Sequence, residues 1–162
     1  MKYLYLMTLL LFGLTPGLRA ETALPDRRSS PVEITARSMT AEPAAGKAVF
    51  VGDVVARQVD VTLYCEQLTV YYRQVEGVQQ VDRLEARKAV RMVQGDRVAT
   101  GDEADYDQLR AVVVFRGSAK VHQGKNEVDG DEITIYLDEN RSEVKSAGDG
   151  RVRAVFFPEA TP

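Results

Sequence analysis

Tryptophan is absent from this chain, and cysteine and histidine occur once each, as Cys65 and His122. One thiol cannot close an internal disulfide, and one residue of each kind cannot furnish a Cys/His zinc site. Most nucleophile–base catalysis and most transition-metal chemistry therefore lack their usual groups, and no cofactor or metal is expected. A glycine-rich phosphate-binding loop is missing too, so nothing points to nucleotide binding. The chain is also short of concentrated basic charge: 21 Lys and Arg stand against 24 Asp and Glu. An acidic chain without a basic cluster is a poor partner for nucleic acid.

Long apolar runs are scarce, with one exception at the start. Lys2 and the free amine precede an apolar stretch from Tyr3 to Leu14, which Pro16 and Gly17 interrupt before Ala20. This reads as a secretory signal over residues 1–20, since a membrane span needs about 20 apolar residues. An uncleaved anchor is the other reading, because Leu18 and Arg19 make an imperfect cleavage site. No Cys follows the run, so it is not a lipoprotein signal. Removing residues 1–20 takes Lys2 and Arg19 and no acid, leaving 19 basic residues against 24 acidic. The expected divisions are a signal peptide at 1–20, a polar leader at 21–30, one β domain at 31–158 and a tail at 159–162.

What the chain does have is β-structure in a repeating form. Its 162 residues are 44% hydrophobic, enough for one domain with a real core. From Pro31 onward, short alternating runs rich in Val, Ile, Thr, Tyr and Phe are separated by turn signals: Ala45-Gly46, Gly52-Asp53, Glu76-Gly77, Gly95-Asp96, Gly124-Lys125 and Gly148-Asp149. Val81 to Val90 lacks a clean helical period and reads as strand.

Phe50–Tyr72 aligns without a gap on Phe115–Leu137 at an offset of 65. Phe50 matches Phe115, Gly52 matches Gly117, Gln58 matches Gln123, and Leu68 to Tyr71 match Ile133 to Tyr136. A middle copy shares the spacing of Gln94-Gly95 and Gly101-Asp102-Glu103 with Gln123-Gly124 and Gly130-Asp131-Glu132.

Period 2 assigns the faces. One face carries Phe50, Gly52, Val54, Ala56, Val61, Leu63 and Cys65, then resumes after a Glu66-Gln67 corner as Leu68 and Val70. In the later unit it carries Ala111, Val113, Phe115, Gly117, Ala119, Val121, Val128, Ile133, Ile135 and Leu137. The other face is mostly polar, with Asp53, Arg57, Thr62, Arg116, Lys120, Asp129 and Thr134. Apolar faces must close on each other, which gives a sandwich, a jelly roll or a flattened open barrel.

The ordered set of Phe50-Val51-Gly52-Asp53-Val54 with Gln58, its repeat at Phe115-Arg116-Gly117-Ser118-Ala119 with Gln123, and the opening Pro31 to Ala36 resembles the OstA-like family of lipopolysaccharide export proteins. The likeness spans roughly residues 31–158. It implies an all-β, OstA-like jelly roll with an apolar interior, held in the periplasm and without enzymatic activity. Lipopolysaccharide, through its lipid A acyl chains, would be the ligand. Subunits would join head to tail, edge strand to edge strand, between an inner-membrane-anchored LptC-like protein and an outer-membrane LptD-like barrel protein. By position, the lipid contacts are Val32, Met92 and Tyr106. Three departures from the family pattern are Ala89-Val90, where Pro-Ala is frequent, Gln108, where an apolar residue is frequent, and an end at Pro162 without the basic tail the resemblance leads one to expect.

Joined to the apolar face, the expected lipid-facing set is Val32, Ile34, Phe50, Val54, Leu68, Val70, Met92, Tyr106, Phe115, Ile133 and Ile135. Expected oligomer edges are Val32 and Ile34 at one end and Val152, Ala154 and Phe156 at the other, where strand addition would bury unpaired backbone. Phe50, Phe115 and Ile135 suit a closed core equally well. Cys65 reads as a buried filler and His122 as an outward residue. Two other functions stay open: a membrane-tethered LptC-like component with an uncleaved anchor, and a glycan hydrolase using Asp102/Glu103 or Asp131/Glu132. Recurrence of those acids at equivalent repeat positions favours turn chemistry over catalysis or calcium.

Overall fold

A computed structural model describes residues 30–148 and 150–158. The expected signal peptide, nearly all of the leader and the tail lie outside the described residues.

Alternating sequences become long antiparallel strands. In chain order these are β1 (Glu33–Thr35), β2 (Ser38–Glu42), β3 (Lys47–Gln58), β4 (Val61–Val75), β5 (Val78–Gln94), β6 (Arg97–Asp107), β7 (Val112–Gln123), β8 (Asn126–Tyr136), β9 (Arg141–Lys145) and β10 (Arg153–Val155). The segment Val81–Val90 falls within β5, as its lack of helical period suggested. All ten belong to one sheet in the order β1-β3-β4-β5-β6-β7-β8-β10, with β2 also on β3 and β9 also on β8. The sandwich alternative, with two separate sheets, is thus replaced by a single unclosed sheet that doubles back on itself.

The doubling is produced by one row of irregularities. Register shifts fall between Val51 and Val54, Tyr64 and Gln67, Arg87 and Val90, Thr100 and Glu103, and Arg116 and Ala119. On β3, β5 and β7 each shift holds two consecutive residues at positive φ: Gly52 and Asp53, Lys88 and Ala89, Gly117 and Ser118. An extra residue there bends the strand and sharpens its twist. Aligned across the sheet, these bulges fold it into two facing half-sheets.

Three of the expected turn signals are corrected by this arrangement. Gly52-Asp53, Gly101-Asp102 and Gly130-Asp131 lie inside strands rather than at their ends: the first pair is itself a bulge, and the other two face the bulges of neighbouring strands. The backbones crowd at this row: a Cβ on Gly101 would come within 3.0 Å of the Arg116 carbonyl oxygen. True reversals occur at Glu76-Gly77, whose two positive φ values match a type I′ hairpin, and at Gly95 and Gly124.

Side-chain parity follows the bulges. On β5 the inward residues are Leu84, Ala86, Val90 and Met92, and on β7 Val113, Phe115, Ala119 and Val121, so parity is kept across the bend. On β4 it changes from Cys65 to Leu68 and Val70, and on β8 to Ile133 and Ile135. These residues form one continuous apolar cluster between the half-sheets. Thr134, expected on the wet face, is 9% exposed, because its strand is covered on both sides by Val114 of β7 and Glu143 of β9.

The outer face carries a charged ladder across five strands. Arg87 Nη1 meets Asp105 Oδ1 at 2.7 Å, Asp105 Oδ2 meets Arg116 Nη1 at 2.7 Å, and Arg116 Nε meets Glu132 Oε2 at 3.0 Å. Lys145 continues the row to Glu132 at 4.0 Å. Burial lowers the pKa of Arg87, but the hydrogen bond and charge of Asp105 outweigh that and raise it. Cross-strand pairs of this kind fix register on a solvated face.

Candidate functional site: an apolar trough between the half-sheets

The eleven residues expected to face lipid all belong to, or pack against, the interior cluster. Val54, Leu68, Val70, Met92, Phe115, Ile133 and Ile135 are at most 1% exposed. Val32, Ile34, Phe50 and Tyr106 are half-buried against them. Burial of each large side chain contributes about 1.5–3 kcal/mol, so the same residues hold the fold together.

The interior is closely packed. Between the half-sheets lies an apolar cavity of about 50 Å³, bordered by Val32, Leu63, Leu84, Met92, Tyr106 and Leu137 among others. That is room for a few waters and not for an acyl chain. Val32, Met92 and Tyr106, the three residues carried over by resemblance, come together on this one cavity.

Opposite the bulge row, the two half-sheets meet at their hairpin tips through polar contacts. The Tyr106 hydroxyl donates to Gln58 Oε1 at 3.3 Å, and Gln58 Nε2 donates to the Ser30 carbonyl at 3.0 Å. Arg97 Nη2 donates to Asn140 Oδ1 at 2.6 Å. Tyr106 and Asn140 belong to one half-sheet, Gln58 and Arg97 to the other. The seam is therefore clasped by side chains, with no strand pairing recorded across it among the described residues.

Sequence reasoning missed both Arg97 and Asn140. The repeat had placed Gln58 against Gln123 without giving either a partner. Arg97 is hidden because β6 changes parity at Gly101-Asp102, so a charged residue that looks like a turn neighbour points inward.

The expected oligomer edges lie at opposite ends of the strand order. Ile34 is in β1, with Val32 just before it, and Ala154 is in β10. Val152 and Phe156 flank β10 and are 44% and 71% exposed.

Cys65 is buried, and burial pushes its thiol up to about 11. His122 lies on the outer face, 3.3 Å from Glu127. Of the acids considered for hydrolysis, Glu103, Asp131 and Glu132 are engaged in structure, Glu103 lying 3.9 Å from Arg87 Nε. Glu132 pairs with Arg116, and Asp131 accepts from the Ala147 backbone N–H at 2.7 Å. That N–H, with the Ser146 hydroxyl, holds the Asp131 carboxyl below its ordinary range, the opposite of what a general acid needs. Among the described residues no three of His, Cys, Asp and Glu are grouped to hold a metal.

Residues 33–141 match the sequence profile of the family described as LptA/(LptD N-terminal domain) LPS transport protein. A protein of Rhizobium meliloti (strain 1021), itself uncharacterized, is 26% identical over 165 residues, covering 91% of this chain and 88% of that one. Among solved structures, LptH of Pseudomonas aeruginosa, described as the LptA-homologous periplasmic component of the lipopolysaccharide transport device, superposes with a TM-score of 0.74. It is 22% identical, and the match covers 83% of this chain and all of LptH.

Proposed function

The chain belongs to the LptA/LptD N-terminal-domain family of lipopolysaccharide transport proteins, and on that footing we propose that it is a non-enzymatic periplasmic carrier of lipopolysaccharide. Lipid A acyl chains would enter between the half-sheets, displacing the contacts that Met92, Tyr106 and Phe115 make with one another's neighbours. The single observation behind this is the interior: one apolar cluster running the width of an unclosed sheet, bordered at its seam by side-chain clasps with no strand pairing across it among the described residues. Parting a clasped seam exposes apolar surface, which costs roughly 25 cal/mol per Å² in water. An acyl chain in the gap restores that term, so opening and loading are coupled.

The edges support the rest of the reading. β1 and β10 stand at opposite ends of the sheet with apolar neighbours exposed at the second, an arrangement suited to head-to-tail strand addition. Copies of the chain, an inner-membrane-anchored LptC-like protein and an outer-membrane LptD-like barrel would be joined that way, forming a bridge between membranes. Residues 31–158 would act as one OstA-like unit in it.

The test is binding of purified lipopolysaccharide to folded variants. Phe115→Asp and Tyr106→Asp are expected to reduce binding at least tenfold, and Arg116→Asp on the outer face less than twofold, with near-ultraviolet dichroism confirming that each variant is folded. Equal losses in all three would remove the inside–outside assignment on which the proposal rests.

A further inference from the structure

Among the described residues Arg97 is the only buried charged side chain, at 7% exposure. Its neighbours do not neutralise it. Nη2 donates to the neutral Asn140 amide oxygen at 2.6 Å, and Nη1 is buried with no hydrogen-bond partner. A buried guanidinium without a counter-ion is costly, and folded proteins keep one only where something offsets that cost.

Arg97 borders a cavity of about 210 Å³ between the half-sheets at the β8–β10 end, whose other walls include Val121, Val128, Val144 and Phe156. The cavity thus sets one buried cation against walls that are mainly apolar, with Gln123, Asn126 and Ser142 also among them. Guanidinium groups match the oxygen spacing of phosphate and carboxylate, and bonds between charged partners are among the strongest available.

We infer that Arg97 is an oxyanion subsite at the C-terminal end of the trough, taking a phosphate of the carried amphiphile while the apolar part lies against Val121, Val128 and Val144. This rests on the lipid-carrying reading above and adds the head group to it. Asn140 holds the guanidinium in place from the opposite half-sheet, so head-group binding and seam closure act on the same side chain.

The test titrates the full chain with lipid A bearing its phosphates, with the same lipid stripped of phosphate, and with inorganic phosphate. Wild type is expected to bind the phosphorylated lipid at least tenfold more tightly than the stripped one. Arg97→Met should remove that preference while changing affinity for the stripped lipid less than twofold, and Arg97→Lys should keep part of it. Without ligand, Arg97→Met loses the bond to Asn140 but also a buried charge that lacks a counter-ion, so near-ultraviolet dichroism should show it folded like the wild type. Equal affinity of wild type for the two lipids would overturn the subsite and leave the trough intact. Binding of neither lipid would remove the trough. Phosphorus-NMR broadening of inorganic phosphate would then decide the subsite alone: loss of broadening in Arg97→Met supports it, and no broadening with wild type overturns it.

Discussion

The Tyr106 hydroxyl donates to Gln58 Oε1 at 3.3 Å across the seam between the half-sheets. The two residues are 48 positions apart, one on β6 and one at the end of β3, and their contact exists only because the bulge row folds the sheet. Tyr106→Phe leaves the ring in place and deletes the bond. Its expected cost is about 1 kcal/mol, a fall of roughly 3–5 °C in Tm for a domain of this size. An unchanged Tm would mean that the seam is not held by this clasp.

At the bulge row, opposite substitutions should have opposite signs. β3 and β7 begin their bulges with glycine, at Gly52 and Gly117, whereas β5 begins its own with Lys88 at φ 65°. A left-handed conformation costs an ordinary residue about 1–2 kcal/mol, partly offset by the larger entropy glycine loses on folding. Lys88→Gly should therefore stabilise by about 0.5–1 kcal/mol. Gly117→Ala should destabilise by about 1–3 kcal/mol, because its φ is 75° and a Cβ there would overlap the Asp102 side chain. Urea melts of both variants check this, and matching signs would contradict the bulge account.

Cys65 supplies a pH-dependent prediction. Its thiol is pushed up to about 11 by burial, so the neutral form is favoured by folding. Stability from that preference is complete below the ordinary value near 9 and is lost as pH rises toward 11. Only the thiolate is alkylated, so iodoacetamide at pH 8 should leave the folded protein largely unmodified and label it fully in denaturant. Rapid labelling of the folded state at pH 8 would show that Cys65 is not in the closed interior.

Much of this fold was legible in the sequence for a physical reason: strands with one wet and one buried face print period 2 directly into the chain. The parity change from Cys65 to Leu68 was readable because both sides of the corner are strongly apolar. In β6 the same change was not, since small alanines and a buried Arg97 carry little pattern. Bulges passed for turns because Gly-Asp serves both, and only pairing across the sheet tells them apart. Leu84 and Ala86 were missed as trough residues because β5 has no clean alternation over Val81–Val90. Arg97 and Asn140 could not be joined from sequence at all, being 43 positions apart and brought together by the bend.

The most direct measurement places a photoreactive residue at Met92 or Tyr106, beside the interior cavity, and another at Arg116 on the outer face, and supplies purified lipopolysaccharide. Lipid adducts at Met92 and Tyr106 with none at Arg116 are the predicted result. No adduct at any of the three sites, from a protein that stays monomeric at high concentration, would contradict the trough and leave a closed β fold.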